Sequence, residues 1–115
     1  MPSQLCPVAE VGKEGKEVIV EIMGKRWYLA LFQSEDQIVC YHNVCPHQGR
    51  NLNFAPDKFF FDEESQLVCP HHGALFDVAS GDCLQGPCKG SSLKKLPVNI
   101  ENGMVHLTEG LMLGS

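Results

Sequence analysis

Apolar and polar positions along this chain alternate with the period of two that marks β-strands, and no segment sustains a helical period. Residues 17–22 and 26–32 are two such runs, and Met23, Gly24 and Lys25 between them have the composition of a tight hairpin turn. A further strand is predicted over 37–41, after the polar turn Ser34, Glu35, Asp36. Toward the carboxyl end, 93–100 and 104–107 flank Asn102 and Gly103, the dipeptide best suited to a two-residue hairpin loop. The pattern leaves room for one helical turn, at 51–55.

The run 26–32 is apolar on both of its faces. Trp27, Leu29 and Leu31 alternate with Tyr28, Ala30 and Phe32. A sheet with one wet face has no use for such a strand, whereas a closed or stacked β architecture does. Between the outer strands, residues from about 43 to 88 are rich in Gly, Pro and Cys and break the strand pattern. The expected architecture is therefore all-β. A single domain spans 1–115, with an antiparallel β base and a small subdomain inserted at about 43–88.

Bulk properties narrow the function classes. A chain of 115 residues with 43% hydrophobic positions is long enough for one domain with a core of its own and too short for two domains. Nine basic against fourteen acidic side chains give a net charge of -5, and no more than two Lys or Arg residues are adjacent. Nucleic acid is not expected as a partner. The residues from Met1 to Pro7 lack the charged and apolar regions of an export signal. The best apolar run, 27–32, is far below the roughly 20 residues of a membrane helix. No membrane anchor is expected, and a cytoplasmic location follows, with reduced cysteines in place of a disulfide framework.

Two short motifs carry the chemistry. Cys45-Pro46-His47 and Cys69-Pro70-His71-His72-Gly73 each pair a thiolate with an imidazole, as C-x-H and then C-x-x-H. Each pair is compact enough for one loop tip. Two cysteines and two histidines suit a tetrahedral zinc ion or a two-iron cluster ligated asymmetrically, and the donor set alone leaves both open.

The surrounding residues, from Cys45 through Gln48, Gly49, Arg50, Asn51 and Leu52, and from Cys69 through Ala74, Leu75, Phe76 and Asp77, closely resemble the two cluster-binding loops of the Rieske [2Fe–2S] family. Gly86-Pro87 resembles that family's third loop, which packs over the cluster. The resemblance extends from about Val18 to Leu107. It implies a Rieske-like fold with one [2Fe–2S] cluster per chain. Cys45 and Cys69 would hold one iron and His47 and His72 the other, with His72 chosen over His71 by its motif position. Neutral imidazoles in place of two thiolates make the centre less negative, so an added electron enters more easily. Pro46 and Pro70 stiffen the loops, and Gly49 and Gly73 leave room for backbone N–H groups to approach the sulfurs.

Departures from the family pattern are informative. High-potential relatives brace the two loops with a disulfide where this chain has Arg50 and His71. They also carry Ser and Tyr hydroxyls where this chain has Ala74 and Phe76. The resemblance is thus to the low-potential, ferredoxin-like branch. The interval between the loops is longer than is usual for the family, and the excess falls in 56–65, beside Phe59-Phe60-Phe61. These rings are either a docking patch or a strand with at least one ring in the core. Cys40 reads as a buried small apolar residue and His71 as an exposed loop side chain. Cys83 and Cys88 read as uninvolved thiols, and His42 and His106 as structural or exposed. Cys6 carries no assignment.

The function implied is that of a soluble one-electron carrier, passing electrons from a flavin-containing reductase to a terminal oxygenase or other redox enzyme. The carrier itself transforms no substrate. Nothing in the chain supplies the His, His and carboxylate set of a mononuclear iron site, so an oxygenase catalytic subunit is not expected. The competing readings are a Rieske-like electron-transfer subunit of a larger enzyme, such as a nitrite reductase, and a zinc-binding interaction module.

Overall fold

The doubly apolar strand organises the molecule. In the computed structural model, residues 4–22, 24–44, 51–69, 73–86 and 90–108 are described, and they form three antiparallel sheets. The central sheet has the order β2-β3-β4-β9, made of Lys16–Ile22, Lys25–Ser34, Gln37–His42 and Lys95–Leu96. On β3, Leu29 and Leu31 point into one core together with Cys40 of β4, while Ala30 and Phe32 point into another together with Val39 and Tyr41. All four residues of β3 from Leu29 to Phe32 are fully buried. The central sheet is thus a wall with a core on each side, as the absence of a polar face requires.

One core lies against a three-stranded sheet of order β1-β11-β10, formed by Gln4–Pro7, Met104–Leu107 and Val98–Glu101. Cys6, Val105 and Leu107 of this sheet meet Trp27, Leu29 and Leu31 there. The hairpin between β10 and β11 pairs Glu101 with Met104, and both loop residues have positive φ, 53° at Asn102 and 78° at Gly103. That is the conformation for which Asn-Gly is selected.

The other core lies against a small sheet, β5-β6-β7-β8, made of Phe60–Phe61, Leu67–Val68, Leu75–Phe76 and Cys83–Gln85. Its strands are only two or three residues long. Phe59, Leu67, Phe76 and Cys83 pack from it onto Phe32, Val39 and Tyr41 of the wall.

Two expectations need correction. Residues 93–100 do not form one strand: Lys95–Leu96 pairs with β4, and Val98–Glu101 pairs with β11 in a different sheet. Pro97 stands at the switch, where it has no N–H to continue a ladder. Residues 51–55 make no helical turn. Instead, the Phe54 N–H donates to the Lys58 carbonyl at 2.9 Å and the Lys58 N–H to the Ala55 carbonyl at 2.9 Å, closing a tight reversal with φ of 60° at Asp57. The strand β1 had no counterpart in the sequence pattern, because four residues ending in Pro7 show no clear period.

Candidate metal centre

The two C-x-H-type motifs sit at loops rooted in the same core. Of the four proposed ligands, Cys69 is among the described residues; Cys45, His47 and His72 lie outside them, as do His71 and Cys88. What the structure shows is how each loop is held at its base.

The first loop leaves β4 at His42 and returns at Leu52. The Asn43 N–H extends the β3–β4 ladder by donating to the Tyr28 carbonyl at 2.8 Å, and the Val44 N–H donates to the His42 carbonyl at 2.8 Å. Leu52 is fully buried and belongs to the core shared with the small sheet. Its N–H donates to Asn43 Oδ1 at 2.9 Å, so the two ends of the loop are joined at the neck.

The second loop caps the β6–β7 hairpin. The Cys69 N–H donates to the Ala74 carbonyl at 2.8 Å and the Gly73 N–H to the Cys69 carbonyl at 2.9 Å. These bonds continue the ladder of Leu67 with Phe76 and Val68 with Leu75 up to Cys69 itself. Cys69 and Ala74 are buried side by side with Leu52 in one cluster, which brings the roots of the two loops together.

The third loop closes on the second. At Gly86, φ is 108°, and a Cβ there would lie 2.8 Å from Ala74 Cα and 3.0 Å from Ala74 Cβ. Only glycine allows that approach, in both conformation and space. Beneath it, the Cys83 N–H bonds to the Ser91 carbonyl at 2.9 Å, and the Cys83 thiol donates to the Gln85 carbonyl at 3.3 Å. Tyr41 locks the wall to the turn after β7, its hydroxyl donating to the Val78 carbonyl at 2.6 Å. Burial pushes the Tyr41 phenol well above its usual range, with Asp77 and Asp82 adding to the shift, so it stays a donor.

Among the described residues, Cys69 fits as one thiolate ligand of a two-thiolate, two-imidazole cluster. A buried cysteine sits at a hairpin tip with its neighbouring backbone packed by a glycine, and both loop roots share one dry core. Among the described residues, no three His, Cys, Asp or Glu side chains converge elsewhere as a competing metal site.

The remaining candidates are placed as follows. Cys40 is buried mid-strand as expected, and burial, reinforced by Cys6, pushes its thiol up to about 12. Cys6 lies in the same core, and its thiol is raised by burial first and by Glu10 second. His42 packs edge-on to Trp27, with ring centroids 5.4 Å apart. The triple Phe divides. Phe59 is buried against Phe32 at 5.0 Å, Phe61 packs partly buried on the same ring, and Phe60 is 44% exposed. Phe60 stacks on Phe54, itself 51% exposed, at 4.1 Å. Sequence reasoning missed Asn43, Asn53 and Asp57. No periodicity marks them, since each acts through two or three hydrogen bonds, most of them to segments remote in sequence.

Known proteins show the same combination. The ferredoxin component of the naphthalene 1,2-dioxygenase/salicylate 5-hydroxylase systems of a Ralstonia species is 35% identical over 94 residues, covering 82% of this chain and 83% of that protein. The ferredoxin component of the Pseudomonas putida naphthalene 1,2-dioxygenase system is 34% identical over 89 residues, or 77% of this chain and 78% of its own length. A solved Sphingomonas yanoikuyae B1 ferredoxin superposes with a TM-score of 0.72 at 29% identity, over 96% of this chain and all of that one. The family model of the Rieske [2Fe-2S] domain matches residues 2–99. This match resolves the choice between zinc and an iron–sulfur cluster that the donor set had left open: the chain belongs to the Rieske [2Fe–2S] family and carries one such cluster.

Proposed function

We propose that this protein is the ferredoxin component of a multicomponent redox system, taking single electrons from a flavin-containing reductase and delivering them to a terminal oxygenase or similar redox enzyme. The observation that carries this reading is the likeness, over more than four-fifths of both chains, to a ferredoxin component of a dioxygenase system. When bound, the cluster takes up one electron and gives it back. The chain's own part is to hold that centre in a fixed, dry frame, and the joined loop roots suit it to that task.

We assign Cys45 and Cys69 to one iron and His47 and His72 to the other. Support comes from the Cys69–Ala74 hairpin, which sets one cysteine at a buried tip, and from the neck at Asn43 and Leu52, which fixes where the other motif begins. The cluster-binding subdomain is taken as about 43–88, around the small sheet. Among the described residues no helix is long and apolar enough to cross a membrane. A cytoplasmic location is supported by Cys6 and Cys40, which share one core as separate thiols.

The test is an anaerobic relay. Purified protein is mixed with NADH and a reductase encoded beside it, bleaching of the visible band is followed, and the neighbouring oxygenase is then added. Rapid reduction followed by reoxidation, with the carrier eluting separately from both partners, is the expected result. Permanent co-elution with one large enzyme, and no exchange with a second, would favour the subunit reading instead.

A further inference from the structure

Apart from Trp27, Tyr41 and the cysteines, Asn43 carries the only buried polar side chain among the described residues, and its exposure is 0%. A polar side chain kept in a dry core needs partners for its donors and acceptors. Asn43 Oδ1 accepts from the Leu52 N–H at 2.9 Å, and Asn43 Nδ2 donates to Asn53 Oδ1 at 2.8 Å. Asn53 Nδ2 in turn donates to Glu17 Oε2 at 3.1 Å and to the Ala55 carbonyl at 3.1 Å. Glu17 belongs to β2, an edge strand of the wall, and its own N–H is held by Asp57 Oδ1 at 2.8 Å.

The direction of this chain of bonds is forced from both ends. A carboxylate only accepts, so Asn53 must turn its Nδ2 toward Glu17 and its Oδ1 toward Asn43. Asn43 must then donate with Nδ2, which leaves Oδ1 for the Leu52 N–H. That N–H can only donate, so the two requirements agree. Both amide orientations are thereby settled by chemistry and not by convention.

We propose that Asn43 is a positioning residue for the first ligand loop, its carboxamide fastening the loop's neck and tying it through Asn53 to Glu17 of the base. The proposal rests on the assignment of Cys45 and His47 as ligands, since both lie between Asn43 and Leu52. Retention of the cluster and its midpoint potential then depend on a bond chain whose polarity is set by a side chain on an outer strand. Removing a ligand's own hydrogen-bond partner typically costs roughly 10–100-fold in metal affinity or activity, and Asn43, which holds the loop and not a ligand, is set against that scale.

Three variants test it. Asn43→Leu keeps the number and branching of the side-chain heavy atoms, with bulkier ends, and removes both side-chain bonds. Asn43→Asp still accepts from Leu52 but cannot donate, so Asn53 must flip and present Oδ1 to the Glu17 carboxylate. Asn43→Asp with Glu17→Gln removes the conflict at position 17, because the flipped Asn53 can accept from the new amide, while the Ala55 carbonyl still loses its donor. Each is measured by exchange of the Leu52 amide, by the rate of iron loss to a chelator and by the midpoint potential. Asn43→Leu is expected to speed both exchange and iron loss about tenfold or more and to shift the potential. Asn43→Asp is expected to keep Leu52 protected but lose iron severalfold faster, and the double variant to recover part of that difference, the part due to Glu17.

Faster Leu52 exchange in Asn43→Leu with unchanged iron loss and potential would overturn the positioning role. So would identical behaviour of Asn43→Asp and the double variant, a comparison that holds even if Asn43→Leu fails to fold. A Cys45→Ala variant separates the two levels, since alanine, unlike serine, offers no atom that could hold iron. If it keeps its full iron content, the ligand assignment fails and the proposal with it; if it loses iron while Asn43→Leu is indifferent, the proposal alone fails.

Discussion

The two cores on either side of β3 and β4 are built by different means. The base core, around Leu29, Leu31, Cys40 and Val105, is mostly aliphatic and closed by the four-residue strands of the β1-β11-β10 sheet, with one register shift between Gln4 and Cys6. The loop-side core is aromatic, with Phe32, Tyr41, Phe59 and Phe76 at its centre. Its strands are too short to be held by ladders alone. Side chains complete the work: Tyr41 bonds the Val78 carbonyl, Asn43 joins Leu52 to Asn53, and Asp57 anchors the turn after Phe54 to Glu17 on β2. A functional end made of loops cannot propagate regular structure, so its precision comes from edge-to-face rings and directional polar bonds.

Cavity-forming substitutions separate the two cores most strongly. Phe76→Ala is expected to cost about 3–5 kcal/mol and to hasten loss of the cluster, because its ring belongs to the same buried core as Cys69 and Ala74. Leu31→Ala is expected to cost about 2–5 kcal/mol while leaving the visible spectrum and potential of the folded protein unchanged. Denaturant titration read by visible and far-ultraviolet circular dichroism makes the comparison. Equal loss of the cluster in both would show that the wall does not insulate the loop side.

Next in size is Gly86→Ala. A Cβ with φ of 108° against Ala74 is strained and crowded, so a cost of about 1–3 kcal/mol is expected, with a changed cluster spectrum. Gly24→Ala is the control on the base: φ is 78° there, but nothing lies within 4 Å, so strain acts without crowding. Thermal melts followed by the visible band distinguish local loss of the loop from global unfolding.

What was legible in the sequence follows the same division. The base hairpins were, because Gly24 and Asn102-Gly103 mark turns and the apolar alternation marks strands. The doubly apolar Trp27 to Phe32 run announced a wall between two cores. Invisible were β1 and the change of sheet at Pro97, since β1 pairs with β11 at the other end of the chain and β9 with β4 in its middle. The small sheet was hidden because two-residue strands have no period. For the site, the ligand motifs stood out by spacing, whereas Asn43 is a single polar residue after a strand and becomes meaningful only beside Leu52 and Asn53.

Smaller effects probe the electrostatics of the loop side. Hydrogen bonds to cluster sulfurs favour the reduced, more negative state, and Ala74 and Phe76 supply none. The midpoint is expected toward the low end of the Rieske range of roughly -150 to +300 mV. If about 1 kcal/mol of a bond to a charged acceptor depends on redox state, a hydroxyl raises the potential by roughly 40 mV. Ala74→Ser is the cleaner variant, because the Phe76 ring is fully enclosed and a tyrosine hydroxyl needs new space. Protein-film voltammetry gives both values. A wild-type midpoint near the top of the range would mean that backbone donors or burial set it instead.

Phe60→Ala should change stability by under about 0.5 kcal/mol, as an exposed site away from the cores. If the Phe54–Phe60 stack docks a partner, the same variant slows inter-protein electron transfer with an unaltered spectrum; unchanged stopped-flow rates would exclude that role. The smallest effect concerns His42, whose imidazole is held below its usual 6.5 by burial first and by Lys94 second. The folded state therefore favours the neutral ring, and the unfolded chain binds more protons just below that value. Its contribution is fully present above 6.5 and is lost as pH falls through the lowered folded value. His42→Gln should flatten the slope of stability against pH between about 7 and 5; an unchanged slope would assign it to other groups.

The assignment of ligands to the two loops is tested most directly by iron and sulfide analysis, with electron paramagnetic resonance of the reduced protein, on His71→Ala and His72→Ala side by side. The account predicts two irons and two sulfides with a wild-type signal in His71→Ala, and loss of that signal in His72→Ala. The opposite pattern, or stoichiometric zinc in both after anaerobic reconstitution, would contradict it.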